Sequence, residues 1–217
     1  DENESEAWKK LIRILTHEMM NSLTPIISLS ETFSDDETTD CAMMGKAMKT
    51  IHRRSKNLVQ FVANYQKLTR IPAPVLSVLQ IEEIMEDISS LLKAQNIKFQ
   101  YTIFPNNITL NADKGQMEQV LINLIKNAWE ACCHLQTPDV RVDIRTDEYQ
   151  RILISVSDNG HGILKEVTDK IFIPFFTTKK DGSGIGLSIC RQIISAHGGT
   201  ISVSSEPDKG ATFLIRM

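Results

Sequence analysis

Two glycine clusters in the carboxy-terminal half carry the residue types best able to bind phosphate. They read DNGHG at 158–162 and GSGIGL at 182–187. Glycine lets the backbone approach a phosphate closely and present its amides to the anion. The second cluster leads into a predicted helix, Leu187–Ala196, whose amino terminus would favour an anion. The pattern therefore indicates a site for nucleotide phosphates.

Three common phosphate-binding motifs do not account for these glycines. The P-loop pattern G-x-x-x-x-G-K-S/T is absent from the sequence. The dinucleotide pattern G-x-G-x-x-G would need glycine at position 187, where Leu187 stands. The signatures of eukaryotic-type protein kinases are missing as well. A different nucleotide-binding design is required.

Two asparagines one helical turn apart are the next candidates for chemistry. Asn123 and Asn127 share one face of a predicted helix, Asp113–His134, whose other residues here are largely apolar. Buried carboxamides need hydrogen-bond partners. Two interpretations stay open at this point: a hydrogen-bond network within the core, or oxygen ligands for Mg²⁺ on ATP.

A histidine in the amino-terminal part has the chemistry of a phosphoryl acceptor. His17 and Glu18 begin an H-E-x-x-H zinc pattern, but Asn21 replaces the second histidine and the zinc site fails. Neutral imidazole can attack with one ring nitrogen while the other carries a proton. Glu18 is the candidate to accept that proton. Asn21 lies one turn on, on the same face as His17.

The first 70 residues predict two long helices that present these side chains. Apolar residues recur at steps of three and four from residue 7 to about residue 33, and the polar segment 34–40 predicts a turn into a second helix. That helix carries a heptad pattern at Met44, Met48, Ile51, Ser55, Leu58, Val62 and Tyr65. We expect a homodimer that forms a four-helix bundle; a monomeric hairpin packed on its own carboxy-terminal half is the alternative.

The segment 71–74 (IPAP) breaks the helical pattern and divides residues 1–72 from residues 73–217. Beyond it the sequence predicts helices at 79–93 and 113–134, and strands at 97–103, 140–146, 152–157, 200–204 and 212–215. The region 159–186 holds five of the ten glycines and reads as a functional lid. The expected fold class is α+β, a helical hairpin followed by a two-layer α/β sandwich.

The order of these motifs resembles the ATP-binding domain of sensor histidine kinases. It runs N-x-x-x-N-A, D-N-G-x-G, I-F-x-P-F-F-T-T-K, G-x-G-x-G-L and G-A-T-F between residues 123 and 213. That family belongs to the gyrase, Hsp90, histidine kinase and MutL superfamily, so the resemblance implies a Bergerat nucleotide fold. The segment beginning at His17 resembles the family's phosphoacceptor box in its H-E-x-x-N variant.

The resemblance also implies roles at the adenine end of the site. Asp158 would accept a hydrogen bond from the adenine amino group, and Thr212 would join it there. Gly160 and Gly162 would let the chain fold around the base.

At the phosphate end, the resemblance implies that Asn127, assisted by Asn123, holds Mg²⁺. The glycine box, Gly182, Gly184 and Gly186 followed by Leu187, would cradle the phosphates. Lys179 is a candidate phosphate contact, and a solvated loop lysine is the equal alternative.

The implied activity is ATP-dependent autophosphorylation of His17, followed by transfer to an aspartate on the receiver domain of a response regulator. Asn21 would orient water for dephosphorylating that partner. Related ATPases carry a glutamate where Asn123 stands, and an amide cannot usefully take a proton from water. An ATPase that drives conformational change, and a nucleotide-bound phosphatase or scaffold, remain as alternatives.

The overall charge and hydropathy of the chain argue against nucleic acid and a lipid bilayer as partners of this sequence. A formal net charge of -3 gives no electrostatic footprint for nucleic acid. No apolar run approaches the roughly 20 residues of a membrane span. Because the chain opens at Asp1, we expect the cytoplasmic portion of a longer protein, with any sensor domain or membrane segment upstream.

Overall fold

The computed structural model describes residues 16, 19–33, 41–179 and 182–217. The chain divides into two compact units, Asp1–Arg70 and Ile71–Met217, and each is described by itself. The proposed acceptor His17, its neighbour Glu18 and the predicted turn at 34–40 lie outside the described residues.

The first unit contains the two predicted helices. Helix α1 covers residues 19–33, and helix α2 runs over Cys41–Thr69. Asn21 is exposed on α1. The heptad side chains of α2 are half-buried or exposed in the single chain, Met48 being 61% exposed. Within the described part of the first unit, the apolar face predicted from the heptad is therefore only partly buried.

The second unit is built on a five-stranded sheet of order β2-β4-β5-β7-β6, beside a two-stranded sheet of β1 and β3. Strands β2 and β4 are parallel, and the other neighbouring pairs are antiparallel. The strands are β1 Ser77–Gln80, β2 Gln100–Phe104, β3 Thr109–Ala112, β4 Val140–Thr146, β5 Ile152–Asp158, β6 Thr200–Ser205 and β7 Ala211–Arg216.

Helices cover one face of the large sheet. They are α3 Ile81–Lys93, α4 Lys114–Cys132, α5 Lys165–Thr168 and α6 Gly186–Ala196. Helix α4 packs on β5 and on α6, and buries Leu121, Leu124 and Ile125. Because strand side chains alternate between faces, the same face of β5 supplies buried Ile154 and Val156 to this core. The predicted two-layer α/β arrangement is confirmed.

The structure differs from the prediction at the short elements. The predicted helix at 79–93 begins at Ile81, because residues 77–80 form β1 with β3 as its partner. Neither β1 nor β3 was predicted, since four-residue strands carry little alternation. The segment predicted to be a lid also contains the short helix α5.

Candidate nucleotide-binding site

Asp158 ends β5 on the sheet face that is covered by the helices. Its Oδ1 atom accepts a hydrogen bond from the Gly160 amide at 2.8 Å, and the Ala211 amide also hydrogen-bonds to the carboxylate. Burial raises the pKa of Asp158, and these two amides oppose the shift. A carboxylate has about four lone-pair sites, so the two amides leave capacity for a further donor such as an adenine amino group.

Close approach of the chain to α4 explains the glycines after Asp158. A Cβ atom at Gly160 would lie 2.5 Å from the carbonyl oxygen of Ala131. Gly162 has φ +70, and a Cβ atom there would overlap the carbonyl oxygen of Glu206. Glycine is needed at both positions for the turn to lie against its neighbours.

Asn159 holds this turn by hydrogen bonds to the backbone of residues 137 and 139, a role that was not predicted from the sequence. Its Oδ1 atom accepts from the Asp139 amide at 2.9 Å, and its Nδ2 atom donates to the Thr137 carbonyl at 2.8 Å. An asparagine within a glycine turn was the available signal, because its amide can bind backbone on both sides.

Asn127 faces the ammonium group of Lys179. The Nζ atom of Lys179 lies 3.1 Å from Asn127 Oδ1 and 2.5 Å from Glu130 Oε2. An amide oxygen and a carboxylate oxygen thus converge on one positive charge. The amide oxygen of Asn127 is a donor that suits Mg²⁺, so this residue fits the cation that the family implies. Glu130 was not among the predicted site residues, although it lies one turn after Asn127.

Asn123 occupies a different environment from Asn127. Its side chain hydrogen-bonds to the thiol of Cys190 on α6, and its Cγ atom would lie 4.0 Å from a Cβ atom at Gly186. Burial raises the pKa of Cys190 to about 12, so this thiol stays protonated at neutral pH. Asn123 therefore joins α4 to α6 through this hydrogen bond.

The second glycine cluster lies against the loop that precedes it. Gly184 has φ +66, and a Cβ atom there would lie 2.5 Å from the carbonyl carbon of Phe175. A Cβ atom at Gly182 would lie 2.5 Å from Thr177 Oγ1. Gly186 begins α6, and Leu187 is half-buried in the first turn of that helix. These glycines place the loop at the amino terminus of α6, where an anion is favoured.

Thr212 does not lie beside Asp158. It pairs with Ser157 across β5 and β7, and directly opposite residues of an antiparallel pair share a face. Asp158 belongs to the face of buried Val156, which is the other one. The prediction that Thr212 joins Asp158 near adenine is therefore wrong. The Ala211 amide takes that place.

Among the described residues, no group of three or more histidine, cysteine, aspartate or glutamate side chains could hold a metal ion. A divalent cation at Asn127 would therefore complete its coordination with phosphate oxygens and water, as Mg²⁺ commonly does.

Comparison with known proteins shows which family this chain resembles. Residues 112–217 match the family of histidine kinase-, DNA gyrase B- and HSP90-like ATPases. The solved catalytic domain of the histidine kinase ThkA is 33% identical with a TM-score of 0.58, over 65% of this chain and 94% of that domain. The chain belongs to the sensor histidine kinases. This histidine kinase chain is also 31% identical to an NtrY-like sensor histidine kinase of Rickettsia bellii, over 97% of its own length.

This histidine kinase chain spans 35% of the length of the Rickettsia relative. A second solved structure holds ThkA in complex with the response regulator TrrA; it covers all of this chain and 65% of ThkA, with 25% identity and a TM-score of 0.68. None of the helices in the described part of the chain combines the length and apolar character needed to span a membrane.

Proposed function

We propose that this chain uses ATP and Mg²⁺ to phosphorylate His17 and then passes the phosphoryl group to an aspartate of a response regulator. The observation that carries the proposal is the arrangement along α4. The glycine turn that follows Asp158 packs against the end of this helix, and the same helix presents Asn127 beside the Lys179 ammonium. Helix α4 thus contributes both to the proposed adenine pocket and to the proposed cation site.

The residues divide the work of binding ATP. The Asp158 carboxylate accepts a hydrogen bond from the adenine amino group, while the turn through Gly160 and Gly162 shapes the pocket. Asn127 supplies an oxygen ligand to Mg²⁺, which neutralises phosphate charge when it is bound. The backbone from Gly182 to Gly186 receives the phosphates. Lys179 is free to contact phosphate once a cation takes its place on Asn127.

Phosphoryl transfer then needs the acceptor group. The neutral His17 imidazole attacks the γ-phosphoryl group with one nitrogen, and Glu18 accepts the proton from the other. Attack forms a nitrogen–phosphorus bond and breaks the bond from the γ-phosphorus to the bridging oxygen, which leaves with ADP. Asn21, exposed on α1, would orient water when the chain dephosphorylates its regulator.

We assign dimerisation and phosphotransfer to residues 1–72 and ATP binding to residues 73–217. Exposed apolar side chains on both helices of the first unit support a homodimer that forms a four-helix bundle. They include Met20 and Ile27 on α1, and Met48 and Val59 on α2. A receiver domain would dock on this hairpin, and the complex of ThkA with TrrA supports that choice of partner.

A conformational ATPase is the weaker candidate. Activating water for hydrolysis needs a general base near the phosphates. Asn123 is an amide, and its side chain already binds the Cys190 thiol. This favours transfer to a bound nucleophile over hydrolysis.

The proposal is tested by incubating the chain with γ-labelled ATP and Mg²⁺. We expect label on the wild type and at most about a tenth as much on Asn127→Ala, because even the loss of a residue that supports a metal ligand typically costs about 10- to 100-fold in metal affinity or activity. Asn106→Ala, at an exposed turn, should label like the wild type. ATP binding with no label on the wild type would refute the kinase and favour a phosphatase or scaffold.

A further inference from the structure

The hairpin that joins β6 to β7 packs on the glycine turn after Asp158. The Asp208 amide donates a hydrogen bond to the His161 carbonyl at 2.9 Å. A Cβ atom at Gly210 would overlap the backbone carbonyl oxygen of Asp158. Because the two backbones lie in direct contact, the shape of the hairpin sets the shape of the turn that is proposed to hold adenine.

Ser205 is the polar residue at the base of this hairpin. It ends β6, and it lies on the same face of that strand as Ile201 and Val203 because side chains alternate between faces. Its Oγ atom accepts a hydrogen bond from the Ile163 amide at 2.8 Å and donates one to the Gly210 carbonyl at 2.7 Å. One half-buried hydroxyl thus joins the residue after the glycine turn to the hairpin that packs on it.

A single peptide group links Ser205 to the proposed adenine acceptor. The Gly210 carbonyl and the Ala211 amide belong to the same planar peptide group, and its C=O and N–H bonds point to opposite sides. The Ala211 amide hydrogen-bonds to the Asp158 carboxylate. A chain of hydrogen bonds therefore runs from the Ile163 amide through Ser205 and this peptide group to Asp158. In a protein interior, the bonds of such a chain strengthen one another.

The orientation of the Asp158 carboxylate depends on this peptide group. The Gly160 amide, which donates to Asp158 Oδ1 at 2.8 Å, comes from the same turn as the carboxylate. The Ala211 amide comes from a different strand, so it ties the carboxylate to the sheet. With that peptide group turned away, the carboxylate would keep only the bond within its own turn.

We propose that Ser205 is a positioning residue for base recognition, because its hydroxyl fixes the peptide group that orients the Asp158 carboxylate toward the amino group of adenine. This rests on the proposed role of Asp158 in ATP binding. The preference that Ser205 supports is for a nucleotide whose base carries an exocyclic amino group at this point. Loss of the hydroxyl should therefore weaken binding of such a nucleotide and leave binding of a nucleotide without that amino group nearly unchanged.

The first test compares ATP with purine riboside triphosphate, which lacks only the 6-amino group. Calorimetry gives the ratio of the two affinities for each protein. Since the acceptor is charged, we expect the wild type to favour ATP about tenfold or more. Ser205→Ala should lower this ratio about 2- to 10-fold, while Ser204→Ala, at an exposed position on the same strand, should keep it. A parallel loss of affinity for both nucleotides, or an unchanged ratio in Ser205→Ala, would overturn the proposal.

Two further variants separate the hydrogen bonds of Ser205 from its packing. Ser205→Thr keeps the hydroxyl, so its ratio should equal that of the wild type. Ser205→Cys is close to serine in shape, but its thiol is a weak donor and a weak acceptor, so its ratio should fall as in Ser205→Ala. Equal losses in the threonine and cysteine variants would assign the effect to packing and overturn the proposal.

Carbon-13 NMR of the Asp158 carboxyl group gives a readout that needs neither nucleotide nor kinase activity. The Ala211 amide lowers the pKa of Asp158 against the effect of burial. Releasing that amide should therefore raise the pKa of Asp158 in Ser205→Ala above its wild-type value, and Ser204→Ala should leave it unchanged. The same pKa in Ser205→Ala and the wild type would overturn the hydrogen-bond chain. A wild type that binds both nucleotides equally would instead refute the adenine contact of Asp158, and the NMR titration would still decide whether Ser205 orients the carboxylate.

Discussion

The Nζ atom of Lys179 lies 3.1 Å from the Oδ1 atom of Asn127. A loop cation therefore occupies the position proposed for Mg²⁺, held there also by Glu130. Binding of ATP with Mg²⁺ must displace the lysine, and the displaced ammonium then has phosphate oxygens within its reach. Lys179 thus competes with the cation before nucleotide binds and can assist the phosphates afterwards.

Removing the charge of Glu130 should ease this displacement. Glu130 and Lys179 side chains are 57% and 42% exposed, and exposed pairs contribute about 0.2–1 kcal/mol. We expect Glu130→Gln to raise the affinity for ATP with Mg²⁺ by up to about fivefold, measured by calorimetry. Glu118→Gln is the matched control on the same helix, since Glu118 pairs with Lys114 instead. A lower affinity for Glu130→Gln would show that Glu130 supports the bound state.

Replacing each of the two asparagines of α4 should change a different property of the protein. Asn127→Ala should abolish the dependence of ATP affinity on Mg²⁺, because its oxygen is the proposed ligand. Asn123→Ala should lower the free energy of unfolding by about 1 kcal/mol, because its partner is the buried Cys190 thiol. Titrations with Mg²⁺ or chelator, together with denaturant unfolding, measure both quantities. Loss of Mg²⁺ dependence in Asn123→Ala alone would reverse the assignment.

The effect of replacing a glycine with alanine should depend on the backbone conformation and the free space at that position. Gly184→Ala places a side chain at φ +66 against the Phe175 backbone, and such strain costs about 1–3 kcal/mol. We expect ATP affinity to fall about tenfold or more. Gly45→Ala in α2 meets nothing within 4 Å and should raise the free energy of unfolding by about 1 kcal/mol. Equal ATP affinities for Gly184→Ala and the wild type would contradict the role of this loop.

Two carboxyl groups should titrate in a set order. Hydrogen bonds lower the pKa of Asp113, so its stabilisation is present above the unfolded value of about 3.9 and is lost as pH falls through the lower folded value. Burial raises the pKa of Asp158, so this carboxyl group is protonated at a higher pH in the folded state than in the unfolded state. Its contribution to the free energy of unfolding therefore increases as pH falls through the folded-state pKa. Protonation removes the negative charge and part of the acceptor capacity of Asp158, so ATP affinity should fall with it. Carbon-13 NMR titration in which Asp158 titrates below Asp113 would contradict this.

The sequence predicted the long elements well. Strand Val140–Thr146 was predicted at its observed bounds, because its alternation matches a half-buried strand. The strands at 77–80 and 109–112 were missed, since their stability comes from pairing with each other. Local pattern could not show that pairing.

The errors within the site have the same origin. Motif order placed Thr212 near Asp158, but the face of a strand residue depends on register, which the motif does not contain. The contact between Glu130 and Lys179 and the bond from the Val75 amide to Asp113 were missed because they join positions 49 and 38 residues apart. Contacts at such separations follow from the fold and are not visible as spacing.

The most direct test of the central claim is the chemical identity of the labelled residue. After incubation with γ-labelled ATP and Mg²⁺, the account predicts label that is lost in acid, kept in alkali and located on residue 17 by mass spectrometry. His17→Ala should carry none, while His52→Ala, an exposed position on α2, should label like the wild type. Acid-stable label, or undiminished label on His17→Ala, would contradict the account.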